Sequence, residues 1–374
     1  MKNKSESFKI GFLFLDEIHH INHFISVAAE LAKNHEVSIL TYKNPDPYLF
    51  KCINRFQPTA LKIEELSTSP FRALTDKLKD RKLPRKGFWI KKNKKYITDN
   101  FDAVVFTDYF QKYLLGTHIK LIKFPHGTPG RAYSYNPAQL DFDFQLLFGE
   151  FHHQQFKELN LLGKNPVVVG YPKLDAVKNL KKKNFFKNQK PVVIYNPHFD
   201  SELSSWNKFG LEILAYFYNQ DKYNLIFAPH LHLFQELKGG ENKEQIPKRF
   251  LDAPHIHIDL GSADSTDMQL VNAADLYLGD VSSQVYEFII NPRPCLFLNT
   301  NGIDYKEDIN YRFWQSGLVI DRIKDLDSDL SQAFLSFDEY RPVQEKLNLE
   351  NYFVQEGSTP SIRAAQAIIK FLNC

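Results

Sequence analysis

The stretch Ala273-Ala-Asp-Leu-Tyr-Leu-Gly-Asp-Val-Ser-Ser-Gln-Val-Tyr-Glu-Phe-Ile-Ile-Asn-Pro-Arg-Pro-Cys-Leu-Phe-Leu-Asn299 decides the fold. Leu276 to Leu278 is an apolar run of buried-strand type, and Gly279 to Ser283 is a tight polar turn. Val285 to Ile290 has helical spacing, and Cys295 to Leu298 is a second short strand behind Pro292 and Pro294. Strand, Ser-rich turn, helix and strand make a βαβ unit. The turn places the Ser282 and Ser283 hydroxyls and several backbone N–H groups at a helix start, where the dipole favours an anion such as phosphate. Asp280 or Ser282 serving only as a helix cap accounts for the same residues.

Outward from this unit the pattern repeats. In the N-terminal half, Lys9–Leu15, Glu36–Tyr42, Ala103–Thr107, Lys120–Phe124, Leu146–Gly149 and Val167–Val169 read as strands, with a helix over Phe24–Lys33. In the second half, Val192–Tyr195, Asn224–Ala228, Ile256–Leu260, Leu276–Gly279 and Cys295–Leu298 read as strands, with a helix near Leu211–Tyr218. Short apolar strands alternating with helices predict parallel sheets covered on both faces. The expected division is residues 1–177, a Lys- and Asn-rich linker at 178–190, a second domain at 191–357, and a C-terminal helix at 358–374 that returns to the first domain.

Bulk properties narrow the class. The 374 residues suit two domains, and 43% hydrophobic with 24% charged residues is ordinary for a globular chain. A net charge of +3 gives no global sign of nucleic-acid binding. Arg72 to Lys95 holds eleven Lys or Arg against Asp76 and Asp80, together with Phe88, Trp89 and Ile90, and Tyr96 follows. A basic, aromatic segment of this kind suits peripheral contact with an anionic membrane or a polyanion, and also suits a solvated helix and loop. Cys52, Cys295 and Cys374 are scattered, with no disulfide or zinc spacing, as expected of a reducing cytoplasm. The apolar run Ile10–Leu15 is too short for a signal peptide, and no run reaches transmembrane length.

The opening stretch resembles the signature of the CDP-glycerol glycerophosphotransferase family, the teichoic-acid and capsule polymer transferases. That family carries an Asp-Tyr-Ser-Ser turn, an Asp-Phe pair and an Asn-Arg-Pro step into a strand. Pro125-His-Gly-Thr-Pro129 is similar to its Trp-His-Gly-Thr-Pro. Gly170-Tyr-Pro-Lys-Leu-Asp175 is similar to its Gly-Tyr-Pro-Arg-Asn-Asp, and Ala228-Pro-His230 to its Lys-Pro-His-Pro. The resemblance runs from about Asp102 to Asn299. It departs at Ala228, where the family has a cation, and at Leu231, where it has proline.

The resemblance implies an α/β fold of two Rossmann-like domains facing a cleft, the GT-B architecture, with an N-terminal acceptor side and a C-terminal nucleotide-donor side. It implies transfer of a polyol phosphate from a CDP-activated donor to a hydroxyl of an anionic polymer or lipid-linked acceptor, with release of CMP. A GT-B glycosyltransferase using a nucleotide sugar, and a non-catalytic binder of anionic glycans, are the alternatives. His126, on a loop after a strand, is the expected general base or a phosphate contact. His230 is expected on the donor phosphates with Gly127, Thr128, Asp280, Ser282 and Ser283, while Glu287 either binds ribose hydroxyls or faces solvent. His20 and Arg131 are acceptor-side candidates, and Arg131 is also a replacement for the cation missing at Ala228. Asp141-Phe-Asp143 imitates a metal motif but reads as structural, so neither a metal nor a cofactor is expected. The expected location is the cytoplasm, at the inner face of the cell membrane.

Overall fold

The structure is a computed structural model describing residues 7–56, 60–79, 81, 83–128, 130–234 and 246–374, with the Tyr133 side chain outside the description. Pro129 of the His126 motif, and Asp80 and Lys82 of the basic stretch, lie outside the described residues. The chain forms two compact units. The first comprises Met1–Pro129, Tyr135–Asn179 and Glu350–Cys374, and the second comprises Gly130–Ser134 and Leu180–Leu349.

The first unit holds a seven-stranded sheet of β1 (Lys9–Leu13), β2 (Glu36–Tyr42), β3 (Leu61–Leu66), β4 (Ala103–Phe106), β5 (Lys120–Lys123), β6 (Phe144–Leu147) and β7 (Pro166–Val168). The order is β3-β2-β1-β4-β5-β6-β7, with all neighbours parallel. The direction of build-up reverses between β1 and β4. In a doubly wound sheet that reversal opens a crevice at the C-terminal strand ends. β4 and β6 are buried along their whole length, as expected for strands covered on both faces.

The second unit holds β8 (Val192–Asn196), β9 (Asn224–Phe227), β10 (Ile256–Ile258), β11 (Leu276–Gly279), β12 (Cys295–Leu298) and β13 (Leu318–Ile320). Their order is β10-β9-β8-β11-β12-β13, again parallel, and the reversal lies between β8 and β11. Leu278, Leu296, Val193 and Leu225 are fully buried in one core with Phe217 and Leu330.

β3 and β13 are edge strands that the pattern reading misses. Leu-Lys-Ile-Glu-Glu-Leu in β3 is only half-buried, and β13 is three residues long. Edge strands need only one apolar face and carry charge that discourages further pairing, which erases the apolar run.

The Lys-rich stretch at 178–190 packs on the second unit. Gln269 accepts from Lys183 N–H at 3.0 Å and donates to Lys181 O at 3.0 Å, while Phe186 is buried. The C-terminal segment belongs to the first unit from Glu350, earlier than its composition suggests. Its helix Pro360–Leu372 packs on the helix Ile21–Leu31, with Ser361 Oγ 2.8 Å from Ser26 Oγ. Among the described residues, no helix is long and apolar enough to cross a membrane.

In the basic stretch, Trp89 and Ile90 are core residues, and the Trp89 indole donates to Leu66 O at 2.9 Å. Phe88 and Tyr96 stay exposed, as do Phe71, Leu74 and Leu78 of the helix Pro70–Leu78.

Candidate functional site

Chemistry-bearing residues gather on each sheet where its build-up reverses. In the first unit, Asp16 follows β1, Thr107 and Asp108 follow β4, and His126 follows β5. Lys86, from the helix Lys86–Asn100, pairs with Asp16 and donates to Asp108 Oδ2 at 2.8 Å, joining the loops on both sides of the reversal. Burial alone would raise the Asp16 carboxyl. The charges of His20 and Lys86 outweigh it and hold Asp16 well below the usual carboxylate range.

His126 Nδ1 lies 2.7 Å from the Thr107 carbonyl oxygen. A carbonyl only accepts, so Nδ1 carries the proton and Nε2 presents a lone pair. The residue is exposed, so a ligand can reach the ring. Crowding by protein, then the charges of His20 and Lys123, push its pKa well below the ordinary histidine value. The imidazole is therefore neutral near pH 7. The buried ring of His20 stacks on it at 4.3 Å, and His20 Nδ1 is 3.3 Å from Asp16 Oδ2. The structure thus brings His20 and His126 together.

Lys123 is buried and donates to the same Thr107 carbonyl at 2.6 Å. Burial pushes its pKa down to about 7, against the pull of Asp108 and Asp16. Gly127 has open space where a side chain would stand, since an added Cβ meets nothing within 4 Å. Thr128, expected on phosphate, is buried with its hydroxyl 2.8 Å from Tyr352 Oη. It anchors the loop to the C-terminal segment, because a covered hydroxyl already in a hydrogen bond is poorly placed for an incoming phosphate.

In the second unit, His198 follows β8, His230 follows β9, and Asp280 with Ser282 follows β11. The order β9-β8-β11 makes these neighbouring loops on one sheet edge. Asp280 is fully buried and accepts from His198 N–H at 2.8 Å, Ser205 N–H at 2.6 Å, Ser205 Oγ at 2.8 Å and Val281 N–H at 2.7 Å. Burial pushes its pKa up to about 6 while these donors pull it down. With its oxygens occupied, Asp280 organises the loops and does not meet phosphate, which its charge would repel.

His198 is a site residue that the sequence reading misses. It is buried, and its Nδ1 accepts from Asp200 N–H at 3.0 Å, so the neutral ring carries its proton on Nε2. Burial, then the charge of Arg131, push its pKa down to about 3. His230 Nδ1 accepts from His232 N–H at 3.2 Å and takes the same tautomer. The rings of His198 and His230 are 5.5 Å apart, and those of His230 and His232 are 5.1 Å apart. Arg131 sits in this unit, not on the first, because Ala132 N–H donates to Asn310 Oδ1 at 2.9 Å. The arrangement collects imidazole N–H donors and one guanidinium, which suits a diphosphate.

Ser282 is buried and its Oγ accepts from Gln284 N–H at 3.2 Å, just ahead of the helix. Ser283 is exposed at the start of the helix Gln284–Phe288. That helix has only five residues, so its dipole adds little to anion binding. Glu287 is buried, contrary to a solvent-facing position. In Asn291-Pro-Arg-Pro294, the Arg293 guanidinium donates to the carbonyls of Val271, Ala274, Phe288 and Asn291. This part of the signature is a structural clamp. Asp141 and Asp143 are structural too, accepting from Gln111 Nε2 and Leu121 N–H at 2.9 and 3.0 Å. Among the described residues, no group of three His, Cys, Asp or Glu is placed to hold a metal ion.

The missed residues had one signal in common. Asp16, Asp108 and His198 each stand just past a strand flanking a reversal, a position legible only once strand order is known. Lys123 had no signal beyond a cation in an apolar strand, and Lys86 had none.

No protein-family model matches the chain, and no curated protein matches it. Solved structures do. The wall teichoic acid polymerase TagF matches 99% of this chain and 89% of its own, at 14% identity and a TM-score of 0.63. A histidine-to-asparagine variant of that polymerase has also been solved after a soak with CDPG. A glycosyltransferase from Rickettsia africae ESF-5 matches 98% of this chain and 99% of its own, at 13% identity and a TM-score of 0.52. UDP-GlcNAc 2-epimerase from Neisseria meningitidis, bound to UDP-GlcNAc, matches 98% and 99%, at 15% identity and a TM-score of 0.57. At these identities the likeness shows the fold: two parallel-sheet α/β units of the GT-B class. Transferases and an epimerase share it, so the chemistry must be argued from the site.

Proposed function

We propose that the protein transfers a polyol phosphate, of the glycerol-phosphate type, from a CDP-activated donor to a hydroxyl of a cell-surface polymer or lipid-linked acceptor, releasing CMP. The observation that carries this reading is the His126–Thr107 hydrogen bond of 2.7 Å, which engages Nδ1 and leaves the Nε2 lone pair of a neutral, exposed residue outside that bond. In the proposed reaction that nitrogen takes the acceptor O–H proton as the oxygen attacks the donor's outer phosphorus. The bond from that phosphorus to the bridging oxygen breaks, and the electron pair leaves with CMP. On the second unit, Arg131 and the Nε2–H groups of His198 and His230 are the proposed holders of the donor's diphosphate. Such preplaced donors are among the largest contributions to phosphoryl transfer.

The sequence signature and the likeness to TagF support the donor class. A peripheral site of action follows for a lipid-linked acceptor. The exposed Phe71, Leu74 and Leu78, beside Arg72 and Lys79, are the proposed contact with an anionic membrane at its cytoplasmic face.

The test is nucleotide release by the full chain from CDP-glycerol, CDP-ribitol, CMP-sugars and UDP-sugars, each with a phosphopolyol acceptor. CMP release from a CDP-polyol that disappears in His126→Ala is expected. Turnover of a nucleotide sugar alone would replace the reading with a glycosyltransferase.

A further inference from the structure

The first unit contains a cavity of about 480 Å³ at the C-terminal ends of β2 and β3. A volume of this size takes a small ligand. Tyr42 and Lys43 line it from the end of β2, Ser67 and Thr68 from the end of β3, and Asp76 and Lys77 from the helix Pro70–Leu78, with Arg81 beyond it.

The lining carries surplus positive charge: Lys43, Lys77 and Arg81 against Asp76. Asp76 is already engaged, since its Oδ1 accepts from Arg85 Nε at 3.0 Å and lies 3.9 Å from Arg81 Nε. Among the described residues, neither Lys43 nor Lys77 has a carboxylate partner. Lys77 and Arg81 are exposed. The remaining wall supplies hydroxyls from Tyr42, Ser67 and Thr68. Burial, then the charges of Asp46 and Asp16, raise the Tyr42 pKa to about 12, so its phenol stays neutral. Cations beside neutral hydroxyls match a ligand that has both a phosphate and free hydroxyl groups. A bare phosphate would leave much of the cavity empty.

We infer that this cavity binds a phosphate-bearing polyol segment of the acceptor, with Lys43, Lys77 and Arg81 on the phosphate and Ser67 and Thr68 on the hydroxyls. The identification of the ligand as acceptor rests on the transfer reading above. The cavity opens on the same C-terminal edge of the sheet as His126, and a repeating acceptor has further phosphates for such a subsite to hold. Its contribution is acceptor affinity rather than chemistry.

The experiment is a calorimetric titration of the full chain, without nucleotide, using glycerol 3-phosphate, inorganic phosphate and glycerol at fixed ionic strength. Glycerol 3-phosphate is expected to bind severalfold more tightly than phosphate, and glycerol not measurably. The double variant Lys77→Ala/Arg81→Ala should weaken glycerol 3-phosphate about tenfold or more, as expected for lost charge-assisted hydrogen bonds. Arg322→Ala/Lys324→Ala removes the same charge from exposed positions on the second unit and should leave binding intact. Equal affinity for glycerol 3-phosphate and phosphate, equal loss in both double variants, no loss in Lys77→Ala/Arg81→Ala, or no binding at millimolar concentration would each overturn the inference. The CMP-release assay scores the transfer reading separately, so either idea can fail while the other stands.

Discussion

The imidazoles of His20 and His126 lie nearly parallel, with 4.3 Å between ring centroids and 11° between planes. At that separation two imidazolium charges repel strongly, so the pair resists double protonation. His20 faces Asp16, and His126 faces the Thr107 carbonyl. The stack therefore helps to keep His126 in its basic form.

Removing that base should stop turnover with little effect on folding, because the His126 ring is exposed. His126→Ala and His126→Asn are each expected to lower kcat by roughly 10²–10⁴, the usual range for a lost general base. The kcat/KM profile of the natural chain should show no His126 inflection near pH 6.5, because its pKa lies lower. Activity requires the neutral ring, so the acid limb falls at a pH below that value. A sharp inflection at 6.5 lost in His20→Gln would reassign the titrating base to His20.

Lys123 gives a stability prediction with a definite sign. Its folded pKa is about 7, below the unfolded value near 10.4. The folded chain thus holds fewer protons than the unfolded chain between about pH 7 and 10, and stability rises with pH across that window. Below pH 7 the whole cost of burying the charge is present. Lys123→Met should therefore stabilise the protein at pH 6, by on the order of 1–4 kcal/mol, and by progressively less toward pH 10. Denaturant midpoints at pH 6 and pH 9 measure this. It also removes one charge that repels a proton from His126, so the acid limb of activity should move upward.

Arg131 is expected to act on donor affinity. Its charge lies near enough to depress His198, and Asn310 holds its loop on the second unit. Arg131→Ala should raise the donor KM about tenfold or more, the effect of one lost charged contact to phosphate, and change the acceptor KM little. Arg131→Lys should recover only part, since ammonium lacks the planar fork. An effect confined to the acceptor KM would return Arg131 to the acceptor side.

Gly149 tests the C-terminal segment's place in the first unit. A Cβ there would overlap the backbone of Glu350 and Asn351, and Phe353 N–H donates to Phe148 O at 2.8 Å just beside it. Neither backbone can yield easily. Gly149→Ala should cost about 1–3 kcal/mol or more, read as a lower thermal midpoint. Deleting Pro360–Leu372 should lower it further by exposing the helix Ile21–Leu31.

The readable part of the fold came from buried parallel strands. Val193 to Asn196 and Leu276 to Gly279 are covered on both faces, so nearly every position is apolar and the run stands out. Leu61–Leu66 does not stand out, because an edge strand mixes Lys62 and Glu64 with apolar neighbours. At the site, His126 and His230 were legible because each sits in a short motif just past such a strand. Thr128 and Asp280 belonged to the same motifs, yet their polar atoms turn inward to Tyr352 and to the His198 and Ser205 N–H groups. A motif records which residues are near the site, and only side-chain direction tells a ligand contact from a brace.

The sequence by itself determined two parallel α/β units and the loops that carry the candidate histidines, because strand burial and strand-to-helix turns are local properties of the chain. Only the tertiary structure decided which groups meet at those loops. Lys86 reaches Asp16 across 70 positions, and His198 reaches Asp280 across 82. It also decided the tautomer of His126, through a carbonyl 19 residues away. The physical reason is that protonation and hydrogen bonding depend on distance in space, and in a doubly wound sheet the strands on either side of the reversal are far apart in the chain.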